Sequence, residues 1–201
     1  MHGPIVGAGG GAIGRGRYDG AMHSIHPTAI VSKESILGEG VEIGPYCILN
    51  GAVTLGKSVR LMSHVCLEGP ITIGDGTVFY PYACAGFAPQ DFKFKQGDKT
   101  AGVVIGSDCI IREYATVHAA TSAERPTRIG DRVMMMCTAH VGHDAVVENR
   151  VVMVNGAALA GHSWVGEAAT LSANACLHQF GRVGRLAFLS AGTTATMDIP
   201  P

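Results

Sequence analysis

Met135-Met136-Cys137-Thr138-Ala139-His140-Val141-Gly142-His143-Asp144-Ala145-Val146-Val147 sets an apolar residue at every sixth place: Met135, Val141 and Val147. A small residue, Ala139 or Ala145, follows four places after each of the first two. The pattern extends in both directions. Toward the N-terminus, Ile25, Val31, Leu37, Ile43, Leu49, Leu55, Leu61, Leu67, Ile73 and Phe79 keep the same spacing. A second run goes through Ile105, Ile111 and Val117, then from Ile129 through Met153, Leu159, Val165, Leu171, Leu177 and Val183 to Leu189. Glycine often comes directly after the apolar position, as at Gly38, Gly44, Gly56 and Gly74. A period of six fits neither a 3.6-residue helix nor the two-residue alternation of a hairpin array. It is the signature of a hexapeptide solenoid, an all-β parallel β-helix. Three hexads make a triangular coil of eighteen residues, the first position of each pointing inward and the small fifth position packing at a corner. Coils stacked at the strand spacing of ~4.8 Å give about eight turns and a prism roughly 40 Å tall. The pattern leaves the hand of the coil open.

Two segments fall out of register, residues 87–104 and 119–128. Insertions in solenoids emerge as loops and often build sites. The first carries Gln90, Asp91 and Lys93. Residues 1–24 form a glycine-rich leader, and the repeat domain occupies residues 25–201. Within the leader, Gly9-Gly10-Gly11-Ala12-Ile13-Gly14 fits a dinucleotide fingerprint. No strand–helix pair brackets it, so a flexible leader is the better reading.

The 201 residues are 47% apolar, with 15% charged residues and a formal net charge of −1. That balance argues against a basic nucleic-acid surface and against a disordered acidic chain. No apolar run is long enough for a membrane span, and no secretory signal opens the chain. Six cysteines, Cys47, Cys66, Cys84, Cys109, Cys137 and Cys176, lack zinc-ligand spacing and read as small buried residues in a reducing compartment, so a cytoplasmic protein is expected.

Beyond Ile129 the register is unbroken, so residues eighteen apart stack. With Val141 as phase zero, His140 stands one place before it, His143 at phase two, Asp144 and His162 at phase three, His178 at phase one and Gln179 at phase two. These polar groups therefore share one edge of an otherwise apolar prism, on three consecutive coils. Core packing does not account for such an edge, and titratable clusters point to chemistry. Two chemistries remain open on the residues alone. His118, His140 and His143 could hold zinc, as histidine-rich edges do in gamma-class carbonic anhydrases. Alternatively, His143 could act as a general base oriented by the neighbouring carboxylate of Asp144.

The motifs His140-Val141-Gly142-His143-Asp144, Leu159-Ala160-Gly161-His162, His178-Gln179-Phe180 and Asp198-Ile199-Pro200-Pro201 resemble those of the acyl-carrier-protein-dependent UDP-N-acetylglucosamine O-acyltransferases that begin lipid A synthesis. Ile25-His26-Pro27-Thr28-Ala29-Ile30 is similar to the opening of that family, and Gln90-Asp91-Phe92-Lys93 to its substrate loop. The resemblance covers about residues 25–201. It implies a left-handed parallel β-helix, a homotrimer with active sites between subunits, and no metal or other cofactor. It implies His143 as the base that deprotonates the glucosamine 3-hydroxyl for attack on a 3-hydroxyacyl thioester carried by acyl carrier protein. Asp144 would orient His143, and the Gly161 N–H would serve the oxyanion. Gln90, His118, His140, His162, His178 and Gln179 would contact substrate, Asp91 and Lys93 would reach the sugar nucleotide from an adjacent subunit's loop, and Ala191 would sit where the family measures acyl length. There are departures. The family carries a C-terminal helical domain that would begin where this sequence stops, Ala119 and Ala120 replace a usual Arg-Gly pair, and Lys95 is extra in the substrate loop.

Overall fold

A computed structural model describes residues 23–95 and 97–201. The glycine-rich leader through residue 22, with its fingerprint motif, lies outside the described residues. Ser24 already belongs to the first strand, Ser24–Ile25. Among the described residues there are 26 strands of two to four residues and no helix. They stack into three parallel sheets of nine, nine and eight strands, here called A, B and C, each sheet taking every third strand of the chain. The result is a left-handed parallel β-helix of nearly nine stacked turns rather than eight.

Each hexad contributes a two-residue strand and a four-residue corner. The second strand residue points inward and is buried throughout the middle of the prism, as at Leu49, Met135, Val141 and Leu159. The fifth residue of the hexad is also buried, at Cys47, Ala139, Ala145 and Val151 among others. The first strand residue points outward. That geometry corrects the reading of the cysteines: Cys47 and Cys109 are buried at fifth positions, whereas Cys66, Cys84 and Cys176 stand on the outer face of sheet B and Cys137 at a corner, all four half-buried.

The corner has its own requirements. Glycine after the inward residue lets adjacent coils approach: a Cβ on Gly38 would lie 2.6 Å from the carbonyl carbon of Gly56, and one on Gly44 would lie 2.7 Å from the Met62 oxygen. Two residues further on, the backbone takes the left-handed conformation, and the chain places ordinary residues there: Tyr46 (φ 59°), Asp144 (59°), His162 (61°) and Ala168 (57°). On the corner between sheets A and B this stacks the rings of Tyr46, His64, Tyr82 and Tyr114 with centroids 5.0, 4.7 and 5.1 Å apart.

Both insertions leave from the corner between sheets B and C. Val78 pairs with Ile110 and Ile110 with Met134, wider offsets than the usual eighteen residues. The loops are shorter than the sequence pattern suggests. Val103 pairs with Ile71 and Thr127 with Val103, so residues 103–104 and 127–128 are already strand. The loops are also joined to each other. Ala119 N–H donates to the Phe87 oxygen at 2.9 Å, Ala101 N–H to the Ser122 oxygen at 2.7 Å, and the Thr100 hydroxyl to the Ala120 oxygen.

Two substitutions test this architecture in opposite directions. Leu159→Ala is expected to lower unfolding free energy by about 2–5 kcal/mol, because the rungs above and below cannot close on the void. Ala168→Gly is expected to raise it by up to about 1 kcal/mol by relieving left-handed strain. Equilibrium denaturation of both variants checks the pair.

Candidate active site

The ladder in sheet B brings the polar edge together. His140 pairs with Ala158 and Ala158 with Cys176, so the corners that follow lie directly over one another. Three columns result at the B–C corner: Gly142, Ala160 and His178; His143, Gly161 and Gln179; Asp144, His162 and Phe180. His140, His143, Gly161, Gln179 and the loop residue Gln90 line one open cleft of about 400 Å³, together with Ala158, Leu159, Cys176 and Leu177.

His143 is the most constrained group in this cleft. Its Nδ1 lies 2.8 Å from Asp144 Oδ2, and the two side chains are only 14% and 10% exposed. With a carboxylate accepting at Nδ1, that nitrogen carries a proton, and the neutral ring has its lone pair at Nε2. The ring lies over Gly161, where a Cβ would come 2.6 Å from His143 Nε2 and 2.5 Å from Cε1. Only glycine leaves room for the imidazole at this place. His162 meets His143 edge to face at 5.2 Å between centroids, and its own ring stacks on Phe180 at 4.7 Å. His162 Nε2 is 3.7 Å from the same Asp144 oxygen.

Burial alone would raise the Asp144 carboxyl. The hydrogen bonds from His143 and Thr121, with His162 nearby, outweigh it and hold Asp144 below the ordinary carboxylate value. Burial, assisted by His118 and His143, pushes His140 down to about 4. His140 Nδ1 is 2.8 Å from the Thr116 hydroxyl, and its ring meets that of His118 at 5.4 Å. His118 donates from Nδ1 to the Ala88 oxygen at 2.7 Å, and His178 from Nδ1 to the Gln179 oxygen at 3.1 Å.

Other expected site residues lie apart. Asp91 Oδ1 accepts from the Lys93 backbone N–H at 2.8 Å at the loop tip, and neither residue lines the cleft of their own chain. Ala191 is exposed at the corner between sheets A and B, away from the histidines. Among the described residues, the one group of histidine, cysteine and acidic side chains whose donor atoms converge is His143, Asp144 and His162, within 4.8 Å. That differs from the His118, His140 and His143 set read from the sequence. Thr116, Thr121 and Phe180 hold the histidines and their carboxylate; Thr116 and Thr121 were not singled out from the sequence, and Phe180 entered only as part of a motif. Phe180 was findable by phase counting, because it shares a column with Asp144 and His162. Thr121 lies inside an insertion, where no repeat fixes its place.

Comparison with known proteins bears on this arrangement. No protein-family model matches the chain. An acyl-(acyl-carrier-protein)–UDP-N-acetylglucosamine O-acyltransferase of Pseudomonas putida is 47% identical over 180 residues, covering 89% of this chain and 69% of the relative. The chain belongs to this O-acyltransferase family. A Synechocystis enzyme of the same name is 43% identical over 126 residues, 63% of this chain and 45% of the relative, so that match spans less than half of its length. Among solved structures, the UDP-N-acetylglucosamine acyltransferase of Francisella novicida superposes with a TM-score of 0.85 at 38% identity, covering 88% of this chain and 64% of its own. That of Bacteroides fragilis gives 0.83 at 34% identity, covering 88% and 69%. The acyltransferase family's left-handed solenoid is therefore the frame on which the histidine edge is built.

Gly161→Ala is expected to displace the His143 ring, cutting any activity of this site by about a hundred-fold; the far-UV circular dichroism would remain unchanged. His140 also gives a pH prediction. From pH 6.5 down to about 4 the unfolded chain binds a proton at this residue that the folded chain refuses, so stability falls with pH across that window. His140→Gln is expected to flatten the slope of urea midpoint against pH there.

Proposed function

We propose that the chain moves a 3-hydroxyacyl group from acyl carrier protein to the glucosamine 3-hydroxyl of UDP-N-acetylglucosamine, the step that opens lipid A synthesis. The observation that carries the reading is the His143–Asp144 pair facing Gly161 across adjacent coils, in a chain of this acyltransferase family. His143 Nε2 takes the proton of the 3-hydroxyl while the sugar oxygen attacks the thioester carbonyl carbon. Asp144 holds the ring by Nδ1 and stabilises the imidazolium as it forms. The Gly161 N–H donates to the carbonyl oxygen as it becomes an oxyanion. When the intermediate collapses, the C–S bond breaks and His143 returns its proton to the departing thiolate. The acceptor hydroxyl thus ends acylated and the carrier thiol ends protonated, with no net charge change at the enzyme.

Around that centre, His118, His140, His162, His178 and Gln179 contact the substrates. His140 does so as a neutral imidazole, consistent with its lowered affinity for protons. Gln90 serves the sugar nucleotide within the cleft of its own chain, Asp91 and Lys93 serve it from a neighbouring subunit, and Ala191 borders the acyl chain. Asp91, Lys93 and Ala191 do not line the cleft of their own chain, in keeping with a homotrimer in which one subunit completes the next. A second motive for assembly is the set of large apolar side chains left outside the prism, including Ile30, Ile36, Ile48 and Ile110. The protein works in the cytoplasm, where charged acyl carrier protein is made, and needs no cofactor.

Purified protein with 3-hydroxyacyl carrier protein and UDP-N-acetylglucosamine is expected to form the 3-O-acyl product. His143→Ala is expected to reduce kcat by at least about a thousand-fold while leaving the oligomer intact on gel filtration. Product formation should survive exhaustive chelation. A requirement for stoichiometric zinc would instead favour a carbonic-anhydrase-like metalloenzyme.

A further inference from the structure

The insertion at residues 119–126 does more than connect two strands. Its third residue, Thr121, faces the carboxylate of Asp144. The Thr121 backbone N–H lies 3.1 Å from both Oδ1 and Oδ2, and its hydroxyl donates to Oδ2 at 2.8 Å. At the other end of the same insertion, the buried hydroxyl of Thr127 accepts the Asp144 backbone N–H at 2.8 Å. The insertion and the strand residue that follows it therefore hold the side chain and the main chain of the residue that orients the base.

A carboxylate with only one strong donor can rotate about its terminal bond and lose its alignment. Asp144 sits in the left-handed conformation at a corner, where no strand neighbour fixes its side chain. Within the hexad, His143 supplies its sole strong partner, and His162 from the next coil stands further off at 3.7 Å. Thr121 supplies what the repeat cannot. Its N–H spans both oxygens and its hydroxyl shares Oδ2 with His143, so the carboxylate is held with Oδ2 directed at His143 Nδ1.

We infer that Thr121 is a positioning residue for the reaction, acting through Asp144 on the orientation and tautomer of His143. The inference rests on the acyl-transfer reading of this site, and it extends that reading to a loop the repeat does not predict. The loop is in turn stitched to the first insertion through Ala101 and Ser122 and through Gly102 and Ala120. The clamp is thus continuous with the segment that carries Gln90 and Asp91.

The test compares Thr121→Val, which removes the hydroxyl but keeps the backbone N–H and the shape, with Thr121→Ser, which keeps the hydroxyl. Thr121→Ala serves as a second hydroxyl deletion should the valine perturb folding. Two readouts are taken. The first is the low-field proton resonance of His143 Nδ1–H in histidine-labelled protein, assigned by its loss in His143→Ala. Thr121→Val is expected to broaden it or move it upfield, and Thr121→Ser to restore it. The second is kinetics: kcat is expected to fall about ten-fold in Thr121→Val with KM for the sugar nucleotide within about two-fold, and to recover in the serine variant. An unchanged resonance in the folded hydroxyl-deletion variants overturns the proposal, as does a kcat equal to that of the unmutated chain. If the unmutated chain transfers no acyl group, the proposed function fails on its own, and the resonance still decides whether Thr121 holds the Asp144–His143 pair.

Discussion

The backbone ladder between adjacent coils, at about 4.8 Å, governs everything else in this molecule. At Gly38, Gly44 and Gly142 the closely stacked coils leave no room for a Cβ where the chain leaves the strand and begins to turn. Glycine therefore recurs there, and the side chains with room to project are those at the outward strand position and at the following two corner places. His140, His143 and Asp144 occupy those three places on one hexad. Chemistry on this scaffold is confined to what a corner can display, and it must be assembled by stacking corners rather than by bringing distant segments together.

Stacking explains the composition of the cleft. A histidine at the second corner place needs a glycine above it, because the residue eighteen positions on lies against its ring; Gly161 over His143 is that case. A carboxylate at the third place receives an imidazole above it, as Asp144 does from His162. The edge-to-face contact of His143 with His162, and the parallel stack of His162 on Phe180, are consequences of column identity rather than of separate packing decisions. Apolar burial inside the prism stays independent of these choices, since inward and outward residues alternate along each strand.

Much of this was legible from residue order because the repeat is a ruler. Position along the chain converts directly into height and face wherever the register holds, which is why His140, His143, Asp144, His162 and Gln179 could be placed on one edge from spacing alone. The same ruler set the inward residues, from Leu49 to Leu177. It misjudged the cysteines, because a small residue fits equally well at the buried fifth place and at the outward strand place; Cys47 and Cys66 differ only by that phase. It was silent inside the insertions. Thr121 and the loop residues Asp91 and Lys93 carry no periodic neighbour; Thr121 is placed by its bonds to Asp144, and Asp91 and Lys93 by a bond within their own loop. The ends of those insertions were misplaced for a related reason: Val103 and Thr127 return to the ladder before the apolar spacing becomes visible again.

The offsets of 32 and 24 residues at the two insertions have a bearing on how such a molecule tolerates change. Register is restored by pairing with the coil below, not counted along the chain, so extra residues at a corner leave every later side chain on its proper face. A single residue gained or lost inside a strand would have the opposite effect, turning inward groups outward until the next corner. The B–C corner is therefore a place where length can drift at little structural cost, and it is also the corner that holds the base. A solenoid of this kind can change the length of its loops and keep the His143–Asp144 pair in place so long as Thr121 still meets the carboxylate.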